Sequence, residues 1–277
     1  MSDEATAFVP GHVTAFFSSH PAADPAVAGS RGAGITLGDG VRVTVRPASE
    51  SRLTLDGARV EMPPVATVLD GLGVTAAVEA ESDLPIGAGF GVSGATALGT
   101  ALAANAAFDC ARSENDLVTL AHVAEVEAGT GLGDVVAQAR GGLPIRLEPG
   151  APGHGRLDGI PARPRVEYVS FGELSTAEVL GGDTSALTAA GARALDVLRD
   201  EPTLPTLLAE SRRFAREADL LTDRVAAAVD AVVDAGGEAA MAMLGETVFA
   251  LGTGLSDAGY DPATCGTHAA GANVVDD

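Results

Sequence analysis

Apolar and polar residues alternate from Gly34 to Pro47 (GITLGDGVRVTVRP), the period-two pattern of half-buried strands, and Gly38-Asp39-Gly40 at its middle predicts a hairpin turn. The pattern recurs from Arg52 to Met62 around Asp56-Gly57, predicting a second hairpin, and Gly73–Glu81 predicts a further strand. The period then changes. Ser93–Phe108 is a run of small residues with helical character, and Ser113 stands where an N-cap would stand for a helix over Glu114–Ala128. Gly129–Leu147 combines loop, short helix, turn and strand. Glu148–Pro164 has the proline and glycine content of a linker. Beyond it, Arg165–Phe171 predicts a strand. Helical patterns then dominate from Ser175 to about Ala235, with breaks at Gly181-Gly182 and Glu201-Pro202. Ala239–Gly252 predicts a late apolar helix. Strands and hairpins first, helices afterwards, is the order of an α+β fold rather than a doubly wound sheet. The linker divides the chain into residues 1–150 and 151–277.

Composition bounds the chemistry. The 277 residues are 46% hydrophobic, ample for a packed core, yet no run of about 18 apolar residues predicts a membrane span. The start, MSDEATAFVPGHV, is acidic and lacks the basic and apolar parts of a secretory signal, which points to the cytoplasm. Two cysteines, Cys110 and Cys265, are too few for a disulfide framework or a zinc knuckle. There are 38 acidic and 17 basic residues, a net charge of −21, and every basic residue is arginine. Such a surface repels phosphate backbones, which argues against nucleic-acid partners. It suits a salt-accumulating cell, where a Debye length of about 3 Å at 1 M salt screens the self-repulsion. With no lysine, the chain cannot carry a P-loop, a protein-kinase strand lysine or a pyridoxal Schiff base.

The densest motif is PIGAGFGVSGA, Pro85–Ala95, with four glycines, three of them before the predicted helix. Gly89-x-Gly91-x-x-Gly94 spells a dinucleotide fingerprint, and Asp109 lies 20 residues after Gly89. A dinucleotide unit, however, needs a second strand before that acidic residue, and Ser93–Phe108 reads as one helix. Phosphate binding fits better: glycines admit backbone N–H groups to phosphate oxygens, and the helix start supplies positive partial charge.

The loop resembles the Pro-x-x-x-Gly-Leu-Gly-Ser-Ser-Ala loop of the GHMP small-molecule kinases. Pro85, Gly89, Gly91, Ser93 and Ala95 match; Phe90, Val92 and Gly94 replace a leucine, a serine and an alanine. Val9–Val13 (VPGHV) is similar to the group's N-terminal Pro-Gly motif. Ala124–Gly142 (AEVEAGTGLGDVVAQARGG) is similar to its acidic segment. The group's third motif, a C-terminal glycine-rich loop, has no match in Met243–Gly252 or Cys265–Ala272. Within the group, PGHVTAFF, GSRGAG and EAGTGLGDVVAQ look like the archaeal pantoate kinase family.

The resemblance implies a GHMP kinase fold, with an N-terminal α+β domain carrying the phosphate loop and a C-terminal α+β domain closing the cleft. It implies ATP and Mg²⁺ as cofactors, and phosphorylation of pantoate to 4-phosphopantoate on a route to coenzyme A. A related kinase for homoserine or mevalonate, and a nucleotide-binding regulator without turnover, are the competing readings. A homodimer is compatible with all of them.

In this frame Pro85, Gly87, Gly89, Gly91, Ser93, Gly94 and Ala95 bind the nucleotide phosphates. Ser93 offers a hydroxyl to the metal. Glu125 and Glu127 point roughly 200° apart on a helix, so only one faces the site. The group's Ala-Glu pair matches Ala124-Glu125, which makes Glu125 the metal carboxylate and Glu127 a solvated residue. Asp134, eight residues before Gly142, corresponds to the group's catalytic aspartate. An acid substrate needs a cation, and Arg146, on a short strand after the Gly-Gly turn, is the candidate clamp, with Arg31 as second choice. The resembled family adds Ser30 and His122 as substrate residues. His12, beside the Pro-Gly turn, reads as structural, closing the site. His20, His154 and His268 read as surface residues.

Overall fold

The computed structural model describes residues 4–173 and 184–275. Part of the helical stretch expected after Ser175, including the Gly181-Gly182 break, lies outside the described residues. Two long strands, β1 (Ala5–His20) and β2 (Gly29–Pro47), pair antiparallel from Ala5 opposite Val45 to His20 opposite Gly29. The hairpin expected at Gly38-Asp39-Gly40 is absent; β2 runs straight through it. These glycines serve close approach: a side chain on Gly40 would overlap the Val9 carbonyl, and one on Gly38 would lie 3.1 Å from the Gly266 carbonyl oxygen.

The second hairpin is present as β3 (Arg52–Leu55) and β4 (Ala58–Val60), turning at Asp56-Gly57 with both residues left-handed. β5 (Ala76–Ser82) pairs antiparallel with β2 and parallel with β3. β6 (Pro144–Glu148) pairs with β2 at Gly32 and Ala33. The expected linker contains β7 (Arg156–Gly159), which pairs with β6. The last strand among the described residues, β12 (Asn273–Val275), pairs with β1. Among the described residues this sheet has eight strands, with the path β12-β1-β2-β5-β3-β4. Two of its strands, β7 and β12, come from beyond residue 150.

Four helices follow, α1 (Pro63–Leu72), α2 (Val92–Ala107), α3 (Glu114–Ala128) and α4 (Asp134–Arg140); α2 and α4 pack directly on this sheet, and α1 and α3 pack on α2. Small residues let α2 sit deep against β1 and β2; a side chain on Gly99 would lie 2.5 Å from the Val43 Cγ2. Ser113 caps α3 as its sequence predicts, in a capping box with Asp116, and Gly129 ends it in the left-handed conformation.

The second sheet, ordered β11-β8-β10-β9 among the described residues, holds β8 (Arg165–Glu173), β9 (Ala239–Ala242), β10 (Gly245–Leu251) and β11 (Ala263–Gly266). The late helix expected over Ala239–Gly252 is therefore a hairpin of β9 and β10. Both strands are buried on both faces, so the segment reads as one apolar run rather than an alternation. Helices α5 (Ser185–Asp200), α6 (Leu204–Glu217), α7 (Asp223–Asp234) and the short α8 (Gly254–Asp257) complete this half. α6 is tied to β1 where Ser211 Oγ donates to the Ala15 carbonyl at 2.8 Å. The architecture is α+β. No helix among the described residues is long and apolar enough to cross a membrane.

Candidate active site

The segment Pro85–Gly91 joins β5 to α2 without regular structure, and Gly87, Gly89 and Gly91 all have left-handed φ, at 72°, 87° and 67°. No L-residue takes three such turns cheaply, which is why this loop is glycine-rich. Gly91 is the N-cap of α2, with no side-chain cap and no acidic residue in the first turn. The first helical bond runs from Ala95 N–H to the Gly91 carbonyl at 2.9 Å. The N–H groups of Val92, Ser93 and Gly94 thus precede the helical ladder, at its positive end, as an anion site requires.

The loop is held from below. His12 N–H donates to the Phe90 carbonyl at 2.9 Å and Thr247 Oγ1 to the Ala88 carbonyl at 2.8 Å. A side chain on Gly89 would lie 2.9 Å from the Met243 carbonyl oxygen, and one on Gly245 would overlap Ala88. The turn between β9 and β10 is therefore the C-terminal piece that packs on the phosphate loop. Sequence reasoning missed it, because its contribution is backbone.

Beyond the loop, Ser93 Oγ donates to Glu125 Oε1 at 2.6 Å. Glu125 is 3% exposed while Glu127 is exposed, as the helix geometry predicts. Burial pushes the Glu125 carboxyl up to about 7; the Ser93 hydrogen bond opposes this and the Asp134 charge adds to it. Ser93 and Glu125 form a hard oxygen pair of the kind that binds Mg²⁺ together with phosphate oxygens and water. No cluster of three or more His, Cys, Asp or Glu among the described residues forms an all-protein metal cage. The residues fit a metal delivered with a nucleotide.

Asp134, the first residue of α4, is 24% exposed at its side chain and accepts a 2.7 Å hydrogen bond from His12 Nδ1. His12 is wholly buried, and burial lowers its pKa from the ordinary value despite Asp134. The neutral ring therefore carries its proton on Nδ1. Burial alone would raise Asp134, but the His12 hydrogen bond and the Arg146 charge hold it below the ordinary value. The sequence reads His12 as a structural residue closing the site; the structure adds its direct hydrogen bond to Asp134. That partner stands 122 positions away, with no local signal linking them.

Arg146 is 2% exposed, and its Nε and Nη1 have no hydrogen-bond partner. Burial lowers it from its ordinary value and Asp134 opposes that shift. Gly133, just before Asp134, brings Ser30 and Arg146 together: a Cβ there would overlap Ser30 Oγ and lie 2.7 Å from Arg146 Nε. His122 Nε2 donates to the Ala28 carbonyl at 2.9 Å, two residues before Ser30, and is buried. Arg31 Nε donates to the Leu147 carbonyl at 2.8 Å. His154 is exposed as expected, but His20 and His268 are half-buried: His20 Nε2 lies 2.9 Å from Ser18 Oγ, and the His268 ring packs 5.1 Å from Phe8.

Residues 64–142 match the family model described as the GHMP kinases N terminal domain. The chain is 36% identical over 263 residues to a pantoate kinase of Thermococcus kodakarensis, covering 88% of this chain and 86% of the relative. The chain belongs to the pantoate kinase family of GHMP kinases. A second relative, the pantoate kinase of Methanospirillum hungatei, is 34% identical over 257 residues, covering 89% of this chain and 87% of its own. A solved phosphotransferase related to the coenzyme A biosynthesis pathway superimposes with a TM-score of 0.86 at 30% identity, covering 98% of both chains. The homoserine kinase of Cytophaga hutchinsonii, at 18% identity and a TM-score of 0.69 over 99% of this chain and 98% of that one, shares the fold. Membership makes the protein a kinase, and the fold brings the glycine loop, Ser93, Glu125 and Asp134 close together.

Proposed function

We propose that the protein transfers the γ-phosphoryl group of ATP to the terminal hydroxyl of pantoate, giving 4-phosphopantoate on the way to coenzyme A. The observation that carries the reading is Arg146: a buried guanidinium with two unpaired N–H-bearing atoms, adjoining Ser30 and electrostatically coupled to Asp134. A buried, unpaired guanidinium is costly unless a ligand completes it, and the matching ligand group is a carboxylate. The names of the relatives supply the acid.

Arg146 and Ser30 hold the substrate carboxylate. His122 supports them through Ala28, so its effect on substrate is exerted by placing the Ser30 strand. The chain then extends toward Asp134, which orients the terminal hydroxyl and accepts its proton. An aspartate held below its ordinary value suits this task, because phosphoryl transfer through a loose transition state moves the proton late. The N–H groups of Val92, Ser93 and Gly94 hold the donor phosphates. Ser93 and Glu125 would hold Mg²⁺, which when bound neutralises charge on the transferring phosphoryl oxygens. The net charge of −21 and the absence of lysine support a salt-accumulating cell as the setting of this chemistry.

ADP release coupled to a reporter, measured in molar KCl with pantoate, homoserine and mevalonate in turn, tests the assignment. Turnover should be highest with pantoate. Faster turnover of either other alcohol would reject it.

A further inference from the structure

Gln138 lies one turn after Asp134 on the same face of α4 and is wholly buried. Its Nε2 donates to the Gly91 carbonyl at 3.0 Å. A side chain on Gly91 would meet Gln138 Nε2 at 3.0 Å and Asp134 Cγ at 3.3 Å, so both residues abut the last turn of the phosphate loop. The Gln138 backbone is fixed too, its carbonyl accepting from Ala272 N–H at 3.0 Å in the C-terminal segment. Gln138 Oε1, by contrast, is buried without a partner. Turning the amide over would set Oε1 against the Gly91 carbonyl, two acceptors face to face, so the orientation is fixed by Gly91 alone.

The bond is not needed to satisfy Gly91, whose carbonyl already accepts from Ala95 N–H. A polar side chain with one unsatisfied atom, kept in the core for a bond its acceptor can do without, has little to offer stability. Its effect is geometric. It joins the helix that carries Asp134 to the residue whose left-handed φ aims the N–H groups of Val92, Ser93 and Gly94.

We propose that Gln138 is a positioning residue for phosphoryl transfer, locking the phosphate-binding turn at Gly91 and the Asp134 helix into one unit. The proposal rests on the kinase reading above. It assigns Gln138 to the alignment of donor and acceptor and to neither binding site for the acid.

Gln138→Met keeps the volume, removes the bond and removes the unsatisfied oxygen. It should melt within about 4 °C of wild type. The KM for ATP and the Kd for ATP by calorimetry should rise about tenfold, kcat should fall about tenfold or more, and the KM for pantoate should change by less than about twofold. Gln138→Glu supplies an independent readout. Its protonated carboxyl can donate to the Gly91 carbonyl and its carboxylate cannot. Burial and the neighbouring Asp134 carboxylate both favour protonation, so its kcat relative to wild type should recover as pH falls from 8 to 6. Wild-type kinetics for Gln138→Met, or an equal rise in KM for both substrates, overturns the proposal. So does a Gln138→Glu rate that stays in fixed ratio to wild type across that pH range. If wild type failed to phosphorylate pantoate, the acceptor assignment would fall, while the calorimetric Kd for ATP would still decide the role of Gln138.

Discussion

Ser93 Oγ and Glu125 Oε1 lie 2.6 Å apart, joining the start of α2 to the last turns of α3. Glu125 is raised to about 7 from an ordinary 4.5, so the folded protein binds its proton more tightly than the unfolded chain does. Folding stability in the nucleotide-free state therefore falls as pH rises from about 4.5 through 7, by on the order of 3 kcal/mol if the whole shift is expressed. Glu125→Gln removes that dependence. Urea denaturation in fixed KCl should show the variant gaining on wild type between pH 5 and pH 8. A gap that stays constant would refute it. Turnover should show the opposite preference: Glu125→Gln and Ser93→Ala weaken use of Mg-ATP, and Glu127→Ala does little.

If Asp134 accepts the proton as proposed, the His12–Asp134 pair sets the pH behaviour of the chemical step. Asp134 lies below its ordinary value, and its contribution to stability persists above about pH 4 and is lost only as pH falls further. His12 is lowered as well, so it stays neutral in the fold, and stability falls as pH drops below its ordinary value of 6.5, where the unfolded chain's imidazole protonates and the buried one does not. At saturating Mg-ATP and pantoate, kcat should show no limb near 6.5 from His12. Asp134→Asn should lower kcat by about 10²-fold or more with ATP binding largely intact. His12→Ala should lower kcat less, and a limb near 6.5 that vanished in that variant would mean the imidazole itself titrates during turnover.

The β9–β10 turn makes a separate, steric prediction. A Cβ on Gly245 would overlap the backbone of Ala88, which cannot step aside without moving the phosphate loop, whereas one on Gly266 would meet nothing within 4 Å. Gly245→Ala should cost both thermal stability and ATP affinity. Gly266→Ala should cost neither. Equal effects of the two, measured by melting and nucleotide titration, would show that the turn does not support the loop.

That contrast marks where sequence reading succeeds. The burial of Glu125 rather than Glu127 was legible because helix geometry forces a choice between them and the resemblance of Ala124-Glu125 to the group's Ala-Glu pair makes it, and α3 was legible from a cap that acts within four residues. The glycine loop was legible because left-handed turns demand glycine. The β9–β10 hairpin was not, since strands buried on both faces lose the alternation that distinguishes them from a buried helix. Gly38-Asp39-Gly40 misled for a related reason: glycine admits a neighbouring backbone as readily as it admits a turn. His12 and Gln138 act on partners 122 and 47 positions away, and only the fold reveals such pairs.

Charge governs the medium. With a net charge of −21 spread over a surface whose cations are all arginine, self-repulsion opposes the compact state at low ionic strength. Several arginines already sit in exposed ion pairs, such as Arg156 with Glu148 at 3.0 Å, which leaves most carboxylates uncompensated. Melting should shift upward between 0.1 M and 2 M KCl. Equal stability at both would mean that the acidic surface is not an adaptation to salt.

In the proposed reading the substrate end of the site rests on Arg146. Its Nε and Nη1 lack partners in a position that is 2% exposed, and Ser30 Oγ adjoins it. A pantoate carboxylate seated there leaves the terminal hydroxyl free to reach Asp134. Arg146→Ala should then raise the KM for pantoate far more than the KM for ATP, since a lost charge-assisted clamp costs about 2–3 kcal/mol, or roughly 30- to 150-fold. Arg146→Lys should recover only part of the loss, because an ammonium cannot grip two oxygens in one plane. Pantoyl lactone offers neither the free carboxylate nor the terminal hydroxyl and should be inert. Ser30→Ala should give a smaller rise in the same KM, and His122→Ala should act in the same direction by loosening the Ala28–Ser30 backbone. If Arg146→Ala left pantoate kinetics unchanged, the carboxylate would have to be held elsewhere. Arg31, now engaged with the Leu147 carbonyl at 2.8 Å, would be the next side chain to substitute.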